Sequence, residues 1–272
     1  MSRLEELKKL RDKIEIEVIG KDNIPKDAPS LIIANHNRLL DIFYLPTAFD
    51  EDIVSLVSSR LVYKQDPERL FYVNKYLNGF PVEAHGGKNY SELCISNASS
   101  FINKNISLNI FPEGAYIDDT KHVYKGRTGA SRILFNALSN GSYAYLLPVS
   151  VDVQSNENLD NYIPSRDDRV RVTINDPILP DDYFYSFVSA CSKEDRNKVL
   201  HEITDVGMKT IAKSLNREYV DKYIELYPKG NVIFSDGHTV DTKEAQKKIF
   251  YDMYDKDLKK LSLKLTNEIY RK

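Results

Sequence analysis

Short apolar runs rich in β-branched residues alternate with amphipathic stretches along about the first 180 residues of this 272-residue chain, and this alternation constrains its fold most. Candidate strands lie at 14–19, 31–34, 53–57, 106–111, 145–153 and 170–174, and candidate helices at 39–49, 67–77, 90–104 and 128–138. The runs at 31–34 and 145–147 are continuously apolar, as expected for strands covered on both faces. Strands that alternate with helices predict an α/β domain, with a mixed or largely parallel sheet flanked by helices.

Residues 181–272 have a different pattern, because the strand signal fades after Pro180 and helical periodicity dominates. Helices are expected at 193–215 and from residue 242 to the C-terminus, and a short polar helix is expected at 3–13. The last helix has one apolar stripe, formed by Phe250, Tyr254, Leu258, Leu261, Leu265 and Ile269. The stripe fits docking on its own domain, with a dimer contact or a membrane-surface contact as alternatives. We therefore predict an α/β core at 1–180 and a helical C-terminal extension at 181–272 that packs on the same domain.

Composition excludes several classes of protein. The chain has 38 Lys+Arg against 40 Asp+Glu, and this near-neutral balance argues against a dedicated nucleic-acid binder. Cys94 and Cys191 have neither disulfide nor metal-site spacing, which fits a reducing compartment. The mean hydropathy is −0.44, and no apolar run approaches the ~18 residues of a conventional membrane span. Residues 1–13 are too charged for a secretory signal, so a cytoplasmic protein is expected.

A histidine and an aspartate follow the predicted strand at 31–34, in the sequence Asn35-His36-Asn37-Arg38-Leu39-Leu40-Asp41. Ligands usually bind at such strand-end loops in α/β sheets. On one continuous helix, five residues give ~500° of rotation and leave two side chains ~140° apart. His36 and Asp41 can therefore meet only if His36 lies in the loop and Asp41 in the first helical turns. Asp41 would then fix the imidazole tautomer and leave the other ring nitrogen as a general base. The alternative is a loop histidine beside an ordinary first-turn acid.

Two further motifs occur in a characteristic order. The predicted strand at 106–111 leads into Phe111-Pro112-Glu113-Gly114, and the strand at 145–153 contains Pro148-Val149. Together with Asn35-His36 and Asp41, this order resembles the phospholipid/glycerol acyltransferase family, typified by 1-acylglycerol-3-phosphate acyltransferases. The resemblance covers roughly residues 16–180.

The resemblance implies transfer of a fatty acyl group from an acyl thioester to a hydroxyl of a lysophospholipid or glycerolipid-like acceptor. The donor would be acyl-CoA or acyl carrier protein, with no bound cofactor and no covalent enzyme intermediate. His36 would be the base, Asp41 would orient it, and Glu113 and Gly114 would line the acceptor site. The residues agree with this chemistry, since neither cysteine has an activating environment and no Gly-x-Ser-x-Gly elbow occurs. For Glu113 the alternative is an acidic side chain on a surface turn.

The chain departs from the family at two positions. Ala84 and Tyr116 stand where relatives have arginines associated with the acceptor's phosphate, and neither can supply the bidentate bonds of a guanidinium. We therefore expect an altered acceptor. Other cations are candidates to bind an anion from a different direction, with ordinary solvated bases as the alternative: Arg38, Arg60, Lys125 and Arg127.

The remaining histidines are assigned no catalytic role. His85 is interpreted as a loop histidine near a flexible glycine turn, with contact to substrate phosphates as the alternative, and His122 is expected at the surface. His201 lacks the second histidine of a zinc-protease helix, and His238 is expected in a turn. No His, Cys and carboxylate cluster has metal-ligand spacing, so no metal is expected.

Three interpretations of the function stay open. The first is an acyltransferase that acts on a glycerolipid-like acceptor and contacts acyl carrier protein or, peripherally, a membrane. The second is an enzyme that uses the same chemistry on a hydroxyl or amine of a specialised metabolite. The third is a non-catalytic descendant that binds acyl chains. Retention of His36 and Asp41 counts against the third.

Overall fold

The computed structural model describes residues 3–38, 40–58, 78–82, 88–115, 119–154, 168–224, 231–233 and 239–241. The helices of this part of the chain are α1 (Arg3–Arg11), α2 (Asp41–Thr47), α3 (Lys88–Ile102), α4 (Gly129–Ser139), α5 (Asp181–Ser189) and α6 (Lys193–Ser214). Its strands are β1 (Glu15–Ile19), β2 (Ser30–Ala34), β3 (Val54–Ser58), β4 (Asn78–Val82), β5 (Leu108–Ile110), β6 (His122–Tyr124), β7 (Tyr145–Gln154), β8 (Arg169–Ile174), β9 (Glu218–Val220), β10 (Asn231–Ile233) and β11 (Thr239–Asp241).

A seven-stranded sheet with the order β1-β8-β7-β2-β5-β3-β4 forms the centre of the fold. All neighbouring strands in it are parallel except β7 and β8, which are antiparallel. The predicted mixed, largely parallel sheet flanked by helices is therefore confirmed. Because β2, β5 and β7 are adjacent, and β2 runs parallel to both of the others, the loops that follow β2 and β5 meet at one edge of the sheet.

Helices cover both faces of the sheet, as the uninterrupted apolar sequence of β2 requires. Leu31 and Ile33 face a core shared with α3, α4 and α6. Ile32 and Ala34 face the opposite core, which they share with α2 and the strands β7 and β8. All four side chains are fully buried, and each large aliphatic among them contributes about 1.5–3 kcal/mol through its burial.

The longest helix, α6, lies close against β2. Its N-terminus is capped by Ser192, whose side chain accepts a hydrogen bond from the Asp195 N–H. A glycine at position 207 permits the close approach, because a Cβ there would lie 2.3 Å from the Ile33 Cδ1 atom. This contact explains why the helix tolerates a glycine in its interior.

The strand and helix predictions agree with the structure at most positions, with ends shifted by one or two residues. Helices α5 and α6 follow Pro180, in agreement with the predicted helical C-terminal part, but three short strands that the sequence does not predict, β9, β10 and β11, come after α6, and β9 pairs in parallel with β6. These strands have three residues each, too few to produce a periodic pattern. The predicted helices at 67–77 and from 242 onward lie outside the described residues.

We expect Gly20→Ala to destabilise the protein by at least about 3 kcal/mol, measured by urea unfolding. Gly20 follows β1 with a φ of 74°, and a Cβ there would lie 2.2 Å from the Ile174 carbonyl oxygen. Gly141→Ala is the matched control, since Gly141 has a φ of 80° but no atom within 4 Å of its Cβ position. The control substitution introduces backbone strain alone, about 1–2 kcal/mol. Equal losses in the two variants would show that the contact with Ile174 does not matter.

Candidate active site

The loop after β2 brings His36 and Asp41 together. His36 lies in this loop, while Asp41 is the first residue of α2, so the change from strand to helix falls between them. The Nδ1 atom of His36 is 3.4 Å from the Oδ2 atom of Asp41. The same oxygen accepts a hydrogen bond of 2.8 Å from the Arg38 N–H, which closes the loop onto the helix N-terminus. This is the arrangement that the five-residue spacing requires.

Burial and stacking fix the orientation of the histidine ring. The His36 side chain is 11% exposed, and that of Asp41 is 1% exposed. The His36 ring stacks on Phe111, with ring centroids 4.3 Å apart and an interplanar angle of 25°. Nδ1 is therefore the ring nitrogen that faces Asp41, and a proton-transfer role for Nε2 stays a prediction.

Glu113 lies at the centre of the contact between the two motif loops. Its side chain is fully buried, and its two carboxylate oxygens accept hydrogen bonds from the backbone N–H groups of His36 (2.7 Å) and Tyr124 (2.9 Å). Burial raises the pKa of the Glu113 carboxyl, although the two hydrogen bonds work in the opposite direction. The carboxylate therefore joins the loop after β2 to β6. A role at the acceptor stays a prediction.

Gly114 forms the turn that follows Glu113. Its φ is 80°, a conformation that favours glycine, and its N–H donates to the Phe111 carbonyl at 3.1 Å. Gly114 is exposed next to a fully buried Glu113, so the backbone at this position is accessible. Its predicted contact with the acceptor likewise stays a prediction.

Two asparagines beside His36 fix the loop to the rest of the fold, and their roles were not predicted from the sequence. The Asn35 side chain donates to the Val151 carbonyl (2.8 Å) and accepts from the Val151 N–H (2.9 Å), which extends the β2–β7 pairing beyond Ala34. The Asn37 side chain donates to the backbone carbonyl of Asp119. The sequence did contain a signal for these roles, namely an asparagine on each side of a histidine that directly follows a buried strand.

The predicted anion-binding cations occupy different environments. Lys125 contacts Asp221 at 2.6 Å and Asp205 at 3.5 Å, and its hydrogen bond to Asp221 raises its pKa. Arg127 donates to the Ile224 carbonyl at 3.1 Å and lies over the ring of Tyr223. The C-terminal extension therefore supplies partners to both of these side chains.

Arg38 is half-buried in the loop after β2. Arg60, together with Ala84 and Tyr116, lies outside the described residues. An anion-binding role stays a prediction for all four of the cations.

A second pair of histidine and aspartate lies in the neighbouring loop. The Nδ1 atom of His122, which the sequence placed at the surface, is 2.7 Å from the Oδ2 atom of Asp119, and the Tyr124 hydroxyl donates to the same oxygen at 2.8 Å. Burial opposes ionisation of Asp119. The hydrogen bonds from Lys121, His122 and Tyr124 outweigh it, however, and lower the Asp119 pKa to about 2.

We expect Asp119→Asn to destabilise the protein at neutral pH by about 1–2 kcal/mol. The folded-state pKa of Asp119 is lowered, so its stabilising contribution is present above the ordinary pKa of about 3.9. The contribution disappears as the pH falls toward 2. Urea unfolding of both proteins between neutral pH and pH ~3 measures the difference, which should shrink on acidification. A difference that is constant with pH would contradict this assignment.

Two other kinds of site are absent from the described residues. No group of three or more His, Cys, Asp or Glu side chains in the described ranges could hold a metal ion. Among the described helices, none combines the length and apolar character that crossing a bilayer needs.

Comparisons with known proteins agree with the two motifs. The family model described as Acyltransferase matches residues 15–152, half of the chain, and this range contains His36, Asp41 and Glu113. Among solved structures, the chain is similar to the 1-acyl-sn-glycerophosphate (LPA) acyltransferase PlsC from Thermotoga maritima. The identity is 23% and the TM-score 0.48, over 76% of this chain and 78% of that one. No protein of curated function matches. The resemblance noted in the sequence is therefore confirmed, and the chain belongs to the acyltransferase family of enzymes.

Proposed function

We propose that this acyltransferase moves a fatty acyl group from an acyl thioester to a hydroxyl of a lysophospholipid or glycerolipid-like acceptor, with His36 as the general base and Asp41 as its orienting carboxylate. The observation that supports this proposal best is the 3.4 Å contact between His36 Nδ1 and Asp41 Oδ2, in a loop at the edge of a largely parallel sheet. The donor is acyl-CoA or acyl carrier protein.

The proposed reaction proceeds in one enzyme complex. His36 Nε2 takes the proton of the acceptor hydroxyl while the oxygen attacks the thioester carbonyl carbon. The carbon–sulfur bond of the tetrahedral intermediate then breaks, and the leaving thiolate receives the proton from His36. Asp41 stabilises the transient imidazolium through its contact with Nδ1. A thiolate is a good leaving group, so one positioned base and donors for the developing oxyanion suffice.

The substitutions at two family positions bear on the acceptor. Ala84 and Tyr116 replace arginines that relatives use toward the acceptor's phosphate, which favours a lysolipid with a different head group. The same substitutions favour a second candidate, in which the acyl group passes to a hydroxyl or amine of a non-glycerolipid metabolite. Both candidates use the same base and the same donor.

An acceptor panel tests the proposal and separates the two candidates. Purified protein would be given acyl-CoA or acyl carrier protein as donor and lysophosphatidic acid, other lysophospholipids, monoacylglycerol or soluble alcohols and amines as acceptor. We expect acceptor-dependent thiol release with a lysophospholipid or glycerolipid. Transfer restricted to soluble acceptors would favour the second candidate. A wide preference for lysophosphatidic acid would refute the altered acceptor.

A lipid acceptor also requires access to a membrane surface. We propose reversible peripheral contact, because a lysophospholipid partitions into bilayers and micelles. Sedimentation with vesicles that contain anionic phospholipid measures this contact. We expect the protein to sediment with vesicles only when they contain the lipid acceptor or anionic lipid. If the protein does not associate with vesicles under any condition, a soluble acceptor would be favoured.

A further inference from the structure

Arg217 is a buried cation that the fold brings to the candidate active site from a distant part of the chain. It follows α6 directly after Asn216, whose φ of 53° turns the chain back toward the sheet. Its side chain is 7% exposed. Arg217 lies beyond residues 15–152, which match the family model, and within the segment predicted as a C-terminal extension.

The guanidinium of Arg217 bridges two side chains. Its Nη1 atom donates to Asn37 Oδ1 at 2.7 Å, and its Nη2 atom donates to Asp152 Oδ1 at 2.6 Å. Asp152 lies on β7, so the ion pair anchors the guanidinium to the sheet. A planar guanidinium that is held at one end by a carboxylate presents its remaining donors in a fixed direction.

This geometry determines how the Asn37 amide is oriented. An arginine can only donate hydrogen bonds, so Asn37 must turn its oxygen toward Arg217. Its nitrogen then points to the Asp119 carbonyl, to which it donates. The same Asn37 oxygen accepts a second bond, 2.6 Å long, from Asn35. Both neighbours of His36 are thus held through one guanidinium.

The chain next to Arg217 holds the other side of the same site. The strand β9 pairs with β6, with Tyr219 opposite Val123, and the Glu218 N–H donates to the Lys121 carbonyl at 3.0 Å. Tyr124, which follows Val123 on β6, donates its N–H to the Glu113 carboxylate, and this carboxylate also accepts the His36 N–H. The segment that begins at Arg217 therefore contacts both loops that enclose the histidine.

We propose that Arg217 is a positioning residue for the acyl-transfer reaction: by orienting Asn37 against Asp152, it holds His36 in the direction needed for proton transfer. This inference rests on the proposed function. A base that is misplaced by about 1 Å loses about 100-fold in rate, so removal of the guanidinium should lower kcat rather than weaken substrate binding.

The test compares Arg217→Gln, Arg217→Lys and Arg217→Ala with the wild-type enzyme in steady-state transfer assays. We expect kcat to fall about 10- to 100-fold in Arg217→Gln, with KM for donor and acceptor changed by less than about 3-fold. Arg217→Lys keeps the charge but lacks the fork that bridges Asn37 and Asp152, so a similar loss is expected. Added methylguanidine should restore part of the kcat of Arg217→Ala.

Arg171→Gln is the matched control. Arg171 pairs with Glu17 at 2.7 Å on the same sheet, its side chain is 55% exposed, and its strand partner is Asp152. We expect this variant to keep the wild-type kcat and to show no response to methylguanidine. Circular dichroism and urea unfolding establish which variants are folded. If Arg217→Gln or Arg217→Ala does not fold, the kinetic comparison is made with Arg217→Lys.

A readout independent of turnover is the NMR signal of the Asn37 side-chain amide. Loss of its hydrogen bond to Arg217 should shift this signal in Arg217→Lys and leave it unchanged in Arg171→Gln. A folded Arg217→Gln enzyme with wild-type kcat, or with a raised KM and unchanged kcat, would overturn the inference. If His36→Ala were as active as the wild type, the proposed function itself would fail. Loss of activity in His36→Ala with retention in Arg217→Gln would refute the role of Arg217 alone.

Discussion

Replacing His36 with alanine will lower kcat for acyl transfer by about 100- to 10,000-fold, because the acceptor hydroxyl loses the only base that the proposed mechanism provides. The loss should appear with either donor and with every acceptor that the wild-type enzyme uses. KM for the donor should change little, since the imidazole acts on the acceptor's proton. Initial-rate measurements of thiol release, with and without acceptor, give both constants.

The interpretation of this loss depends on the variant being folded. Removal of the His36 ring takes away its stacking on Phe111 and its contact with Asp41, but the His36 backbone N–H still donates to Glu113, and the Arg38 N–H still donates to Asp41. We therefore expect an unfolding midpoint near that of the wild type. His201→Ala is the control, because His201 lies on α6 and contacts Tyr223. A His36→Ala enzyme with more than a tenth of wild-type kcat would remove His36 from the mechanism.

Glu113→Ala will destabilise the protein by about 2–5 kcal/mol at neutral pH, the largest loss of stability that we expect from a single change in the site. The substitution leaves the N–H groups of His36 and Tyr124 buried without an acceptor, at about 1–3 kcal/mol each. Urea unfolding measures the difference. Glu113→Gln retains one acceptor oxygen, so an intermediate loss is expected.

Glu17→Ala is the control for Glu113, since Glu17 forms an exposed pair with Arg171 and should change stability by less than about 1 kcal/mol. The raised pKa of Glu113 adds a dependence on pH. The folded state holds this proton more tightly than the unfolded state, so the associated stability is present below about pH 4.3 and is lost as the pH rises through the folded pKa. As the pH rises, the difference in free energy of unfolding between the wild type and Glu113→Gln should therefore become smaller. A difference that widens with pH would contradict the sign.

The sequence predicts the parts of this fold that depend on local pattern. Six strands of the sheet have apolar, β-branched sequences and were found from them, whereas β4 was missed because Gly79 and Pro81 interrupt its pattern. The contact between His36 and Asp41 could also be predicted from the sequence, because the two residues are five positions apart and one change from strand to helix brings them together.

The features of the site that the sequence did not predict depend on contacts between distant parts of the chain. Glu113 binds the backbone of a residue 77 positions away, and Arg217 binds Asn37 at a separation of 180 positions. No spacing rule relates residues so far apart. Lys125 likewise had the residue type of an anion-binding side chain, but its partners Asp205 and Asp221 come from the C-terminal extension.

A single-turnover reaction tests most directly the central claim that His36 promotes transfer from donor to acceptor without an acyl-enzyme. Enzyme in excess would be mixed with an acyl thioester whose acyl group is isotopically labelled and with the acceptor that the panel identifies. Samples quenched over time would be analysed by mass spectrometry of both the intact protein and the acceptor. We predict that the label passes to the acceptor hydroxyl while the mass of the protein never changes. Label on Cys94, Cys191 or any other side chain before it reaches the acceptor would contradict the mechanism.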